Sequence, residues 1–233
     1  VSERMQPSCV ELERVRMRLG DTDVLRGVTL SLTARTTAII GENGSGKSTL
    51  ARLIAGLATA TSGSARVLGL DPVREASELR RRVAVVFSNP DSQIVMPTVS
   101  EDVAFSLRAE KLTRAERSDR VNAALERFGL AGLAERSSHD LSGGQKQLLA
   151  LCGAFVRHPE LVIADEPTAY LDARNARRVA DHLFADAGHR LVLVTHDMEL
   201  ARRCDVAVLV EDGRVSAADD PGTLTERYEE RLR

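Results

Sequence analysis

Gly41-Glu42-Asn43-Gly44-Ser45-Gly46-Lys47-Ser48-Thr49 decides how this chain of 233 residues is read. The stretch satisfies G-x-x-x-x-G-K-[ST] in full. It also stands where that pattern has physical meaning, after the apolar run 35–40 and before 50–57, which continues as a helix. Gly41, Gly44 and Gly46 let backbone N–H groups wrap a polyphosphate, with Asn43, Ser45 and Thr49 in the same turn. Lys47 can reach β- and γ-phosphates, and the Ser48 hydroxyl can ligate Mg²⁺. ATP and Mg²⁺ are therefore the expected ligands. The plain alternative, an ordinary glycine-rich strand–helix turn, does not explain the lysine and hydroxyl at these offsets.

Working outward, 10–19 and 24–32 read as two strands around Gly20-Asp21, and 83–87 as a buried strand. Strand signals then stop. Ser100-Glu101-Asp102 opens one helix. Thr113 and Glu116 form a capping box for another, which carries Val121, Leu125 and Phe128 at helical spacing and ends at Gly129. Strands return at 161–164 and 191–195, each followed by a helix, and 206–210 with 214–215 around Asp212-Gly213 reads as a terminal hairpin. The pattern predicts an α/β fold: a P-loop NTPase core (1–97 and 159–233) with an N-terminal antiparallel β portion and an inserted α-helical subdomain (98–158).

Two further strand ends carry chemistry. Leu161-Val162-Ile163-Ala164 runs into Asp165-Glu166, two carboxylates at the C-terminal tip where α/β sheets place ligands. Asp165 is expected to hold Mg²⁺, directly or through water, and Glu166 to orient and deprotonate the attacking water. Val192-Leu193-Val194-Thr195 ends in His196, whose imidazole can bond a γ-phosphate and hold that water. An acidic helix cap and a structural histidine are the bland readings of the same residues.

Composition narrows the class. The net charge is −2 and aromatics make up 3% of the chain, with no tryptophan, so neither a basic nucleic-acid surface nor a base-stacking platform is indicated. Cys9, Cys152 and Cys204 form no C-x-x-C pair, which suits a reducing compartment and no metal cluster. No apolar run is long enough to span a bilayer.

A second anion site is implied by Leu141-Ser142-Gly143-Gly144-Gln145, a helix start with two glycines in its first turn. Together with the motif order and the helical insert, these five residues resemble the signature of the nucleotide-binding subunit of ABC (ATP-binding cassette) transporters, over almost the full chain. Asp172, in Ala169-Tyr170-Leu171-Asp172, falls at the family's D-loop aspartate. The resemblance implies the ABC ATPase fold and a head-to-tail dimer, of two copies or of this chain with a paralogous ATPase. In it Ser142, Gly143, Gly144 and Gln145 of one subunit would bind the γ-phosphate held by the other subunit's Lys47. Asn89-Pro90-Asp91-Ser92-Gln93 and the following 97–105 resemble the ATPases of energy-coupling-factor importers, which take up vitamins or transition-metal ions. The short ATPases of biotin and of cobalt or nickel systems are the nearest kind. The implied partners are an integral membrane coupling protein and a substrate-binding membrane subunit, with no nucleic acid, at the cytoplasmic face of the membrane. Helices of the coupling protein would dock around 88–110, with Val95, Met96, Val99 and Phe105 as apolar candidates.

Three positions depart from the family pattern. Leu19 or a neighbour stands where an aromatic residue usually stacks on adenine. Ser88 stands at the Q-loop glutamine, for which Gln93 is a conceivable replacement. Leu148 stands where an arginine is common. The competing classes are a conventional ABC transporter ATPase, a soluble ABC ATPase acting on DNA or ribosomes, and a nucleotide-gated module that does not hydrolyse. The last is disfavoured by the intact Asp165-Glu166 and His196.

Overall fold

The computed structural model describes residues 8–185 and 188–231. In chain order the elements begin with β1 (Val10–Leu19), β2 (Thr22–Leu32), β3 (Thr36–Ile40), α1 (Lys47–Ile54), β4 (Ser62–Val67), α2 (Ala76–Arg82) and β5 (Val83–Phe87). They continue with α3 (Val99–Ser106), α4 (Arg114–Arg127), α5 (Gly143–Phe155), β6 (Leu161–Asp165) and α6 (Ala173–Phe184). The last are β7 (Arg190–Val194), α7 (Met198–Ala201), β8 (Val206–Glu211), β9 (Arg214–Asp219) and α8 (Pro221–Arg231). The chain divides into two compact units, one of residues 1–83, 160–165 and 188–233, the other of 84–159 and 166–187.

The first unit holds two sheets. One is antiparallel, ordered β2-β1-β4, with Val10 opposite both Leu32 and Val67. Val10, Leu12, Val15 and Met17 of β1 are buried. The spacing breaks strict alternation between Leu12 and Val15, and a register shift there brings both back to the same face. In the other sheet the strands of this unit run β6-β7-β3-β8-β9. The β6–β7, β7–β3 and β3–β8 pairs are parallel and β8–β9 is an antiparallel hairpin. All five residues of β3 and of β6 are buried, as expected for parallel strands covered on both faces. Against this sheet α1 contributes Leu50, Leu53 and Ile54, each about 1.5–3 kcal/mol more favourable buried than exposed. Cys204 is also buried, which pushes its thiol up to about 12 and keeps it unreactive.

In the second unit capping boxes define the helix starts. Thr98 with Glu101, Thr113 with Glu116 and Ser142 with Gln145 exchange side-chain and backbone bonds at α3, α4 and α5. Each cap contributes about 1 kcal/mol. The start of α3 therefore lies at Val99, upstream of the Ser100-Glu101-Asp102 expected to open it. Val103, Leu107, Leu125, Leu149, Leu151 and Cys152 fill the core. The Phe128 ring stacks on His182 at 4.3 Å between centroids and meets Phe155 at 5.9 Å. No described helix is long and apolar enough to cross a membrane.

Candidate functional site

The phosphate-type loop follows β3 directly. Gly41 takes φ +144°, and a Cβ there would collide with the Val210 carbonyl oxygen, so the tight exit from β3 requires glycine. Gly46 is the N-cap of α1, in a left-handed conformation and without a side-chain cap, and no acidic residue occupies the first turn. The helix N-terminus thus keeps its partial positive charge turned to the loop. Lys47 is 6% exposed, and its Nζ donates to the Gly41 and Glu42 carbonyl oxygens at 2.7 Å each. Ser45 Oγ is buried with no hydrogen-bond partner among the described residues. Buried hydroxyls are nearly always hydrogen-bonded, so an unpartnered one beside this helix N-terminus fits a phosphate oxygen as its acceptor. A cavity of about 240 Å³ opens beside it, lined by Glu42, Asn43, Gly44, Ser45, Val210, Glu211 and Asp212.

The terminal hairpin braces this loop. The Gly213 N–H donates to the Ser45 carbonyl at 2.9 Å, and the Gly213 carbonyl accepts from Arg26 N–H at 2.7 Å. The sequence marked Asp212-Gly213 as a turn; its contact with the loop carried no sequence signal.

Parallel register gathers the strand ends of this unit. Val194 of β7 sits opposite Ile39 of β3 on one side and Asp165 of β6 on the other. The sheet thus brings Asp165, the loop after Ile40 and the Thr195-His196 step to one edge. Ser48 Oγ donates to Asp165 Oδ1 at 3.0 Å. Burial raises the Asp165 pKa, opposed by that hydrogen bond and by the charges of Arg52 and Lys47. A hydroxyl and a carboxylate in contact are hard oxygen ligands. With phosphate oxygens and water they fit Mg²⁺, which seldom takes more than one or two protein groups. His196 is exposed in a tight step where Asp197 N–H donates to Thr195 Oγ1 at 3.0 Å and the Asp197 side chain caps α7. Leu19, at the end of β1 opposite Thr22, is 52% exposed.

The remaining expected residues lie in the second unit. Glu166 has φ +51° and its carbonyl accepts from Ala169 N–H at 3.1 Å. A left-handed glutamate is uncommon and marks a backbone held by its surroundings. Tyr170, at φ +64°, is 97% exposed. Asp172 caps α6 by accepting Asn175 N–H at 2.9 Å and Asn175 Nδ2 at 2.7 Å, bonds that hold its carboxyl below the usual range. At α5, Ser142 N–H donates to Gln145 Oε1 at 2.9 Å, while Gln145 N–H donates to Ser142 Oγ at 3.4 Å.

The stretch after β5 is tied to α5. Lys146 Nζ pairs with Asp91 at 2.7 Å, and Gln147 Nε2 donates to the Phe87 carbonyl at 3.1 Å. Gln93 is committed to the backbone of β5: its Oε1 accepts from Phe87 N–H at 2.8 Å and its Nε2 donates to the Val85 carbonyl at 2.9 Å. Gln93 thus clasps the strand, and that commitment argues against its replacing the glutamine absent at half-buried Ser88. Asp102 lies in the first turn of α3, at the helix start where it was expected, and also accepts Val95 and Met96 N–H at 2.8 and 3.0 Å, shaping the loop before that helix. Of the four apolar docking candidates, Val99 is fully buried and belongs to the core. Met96 is half-buried, Val95 is 61% exposed and Phe105 37% exposed, with the Arg108 guanidinium 4.1 Å above its ring. Leu148, the departure after the signature, is buried at 1% exposure, so an apolar residue satisfies its surroundings.

A family model described as ABC transporter matches residues 25–169. The biotin transport ATP-binding protein BioM of Rhizobium etli is 36% identical over 221 residues, covering 95% of this chain and 98% of its own length. The energy-coupling factor transporter ATP-binding protein EcfA1 of Symbiobacterium thermophilum is 43% identical over 214 residues, covering 89% of this chain and 72% of its own. The structure of cbiO1 from Clostridium perfringens, part of the ABC transporter complex cbiONQ, matches with TM-score 0.86 at 31% identity, over 96% of this chain and 93% of that one.

Proposed function

This chain belongs to the ABC transporter family as an ATP-binding subunit, and from that premise we propose that it powers an energy-coupling-factor type importer, biotin being the favoured cargo. Relatives named for biotin transport and for the energy-coupling factor, aligned over most of this chain, support that choice. Substrate selection belongs to a separate membrane subunit; this chain supplies the nucleotide chemistry at the cytoplasmic face of the membrane.

The observation that carries the nucleotide reading is the buried Ser45 hydroxyl without a partner, inside a loop that ends on an uncapped helix N-terminus. Phosphate oxygens would accept from Ser45 and from the N–H groups of 44–49, and Lys47 would exchange its two carbonyl contacts for the β- and γ-phosphates. Ser48 and Asp165 would hold Mg²⁺, which would neutralise charge on the transferring phosphoryl group. Glu166 would take the proton from the attacking water, and His196 would hold the γ-phosphate. Asp172 and the turn Ser142–Gln145 would act across the interface of a closed dimer. ADP lacks the γ-phosphate that links the two copies, so hydrolysis would loosen the dimer; a switch needs such differential affinity.

The test is ATP turnover by the purified chain beside its Glu166→Gln and Lys47→Ala variants. Glu166→Gln should bind ATP normally and lose about 10²-fold or more in turnover, as loss of a positioned base does. Lys47→Ala should lose ATP affinity. Rapid steady-state hydrolysis by Glu166→Gln would overturn the assignment.

A further inference from the structure

The two glycines of the signature turn differ in what demands them. Both have ordinary helical backbone, so neither is required by φ. A Cβ at Gly143 would meet nothing within 4 Å among the described residues. A Cβ at Gly144 would fall inside the side-chain amide of Asn175, 2.6 Å from Nδ2 and 2.7 Å from Oδ1, and closer still to Cγ. Asn175 cannot swing aside without cost. Its Nδ2 donates to Asp172 Oδ2 at 2.7 Å, a hydrogen bond to a charged acceptor, while its backbone N–H donates to Asp172 Oδ1 at 2.9 Å. Gly144, Asn175 and Asp172 therefore form a direct chain of contacts from the first turn of α5 to the N-cap of α6.

We propose that Asn175 is a positioning residue that sets the signature turn and the Asp172 loop of one subunit in fixed relation, so that both meet a second copy together. The inference rests on the dimer-closing function proposed above. Asn175 touches no nucleotide in this scheme. It acts by filling the space that Gly144 leaves and by fixing the Asp172 carboxylate that caps α6. Gly144 is thus glycine to admit Asn175 from its own chain, whereas Gly143 is left as the glycine that faces outward to the γ-phosphate.

The experiment is a double-mutant cycle in the full chain carrying Glu166→Gln. The ATP concentration for half-dimerisation is read by light scattering and the monomer's affinity by a fluorescent ATP analogue. Asn175→Ala retains the backbone N–H that Asp172 accepts in capping α6. It should leave monomer affinity within about twofold while raising the dimerisation midpoint about tenfold, the scale of a lost hydrogen bond to a charged group. Gly144→Ala should be at least as defective, and adding Asn175→Ala should return it to the level of Asn175→Ala alone, because the obstacle to the new methyl is gone. A double variant no better than Gly144→Ala would overturn the inference. So would Asn175→Ala dimerising like its parent, a readout that stands even if Gly144→Ala does not fold. A Glu166→Gln parent that stays monomeric in ATP would instead overturn the dimer-closing function, and this inference with it.

Discussion

Ser48 Oγ donates to Asp165 Oδ1 at 3.0 Å, joining the first turn of α1 to the last residue of β6. The pair stands at the end of a parallel sheet whose register leaves it little freedom: Asp165 faces Val194, and Val194 faces Ile39. Burial is the largest influence on the Asp165 carboxyl and raises its pKa, so a cation that replaces the lost solvation is favoured there.

Asp165→Asn keeps the shape and an oxygen for Ser48 but removes the charge. The Mg²⁺ concentration needed for half-maximal ATP turnover should rise at least about tenfold. A titration of turnover against Mg²⁺ checks this, and an unchanged midpoint would remove Asp165 from the metal site.

Leu19 ends β1 with half its surface open, so a larger ring fits without repacking. If it lies over adenine, Leu19→Tyr should tighten ATP and ADP binding alike by up to roughly 1–3 kcal/mol, the range of base–aromatic stacking. Calorimetric titration with both nucleotides checks this; equal affinities before and after would place the base elsewhere.

His182 stacks on Phe128, and burial, followed by the charges of Arg127 and Arg178, lowers its pKa against the opposing pull of Asp181. The folded form therefore binds this proton less readily than the unfolded form. The histidine's contribution is complete above its unfolded value of about 6.5 and is lost as pH falls below it. His182→Phe retains a ring against Phe128 and cannot titrate. Urea midpoints at pH about 7.5 and about 5.5 should drop less for this variant than for the parent. Equal drops would mean that His182 does not govern acid sensitivity.

The parts of the fold that were legible in the sequence are those with a local cause. The 41–49 loop, the capping box at Thr113 and Glu116, and the Asp212-Gly213 hairpin each follow from residues adjacent in the chain. β4 was not legible because Ser62-Gly63-Ser64-Ala65-Arg66 has no apolar alternation; antiparallel pairing with β1 makes it a strand. Val99 read as an exposed docking residue because nothing in 95–105 says which apolar side chain turns inward. The Asp102 bonds to Val95 and Met96 N–H help shape that loop. The roles of Gln93 and Asn175 depend on partners brought near by tertiary structure, Val85 and Phe87 for one, Gly144 for the other, and no spacing rule announces them.

In the proposed dimer the turn Ser142–Gln145 senses the γ-phosphate held by a second copy. The most direct measurement is light scattering of Glu166→Gln with and without Ser142→Arg at one ATP concentration. Ser142→Arg gives up a cap of about 1 kcal/mol, too little to unfold α5, and circular dichroism verifies that the helix content is retained. In the proposed function each chain would hold its own ATP through the 41–49 loop, so monomer affinity should barely change. Glu166→Gln should form a dimer with ATP and not with ADP, and Ser142→Arg should return it to monomers, since the arginine obstructs both composite sites. A double variant that stays dimeric in ATP and still dissociates in ADP would contradict the claim.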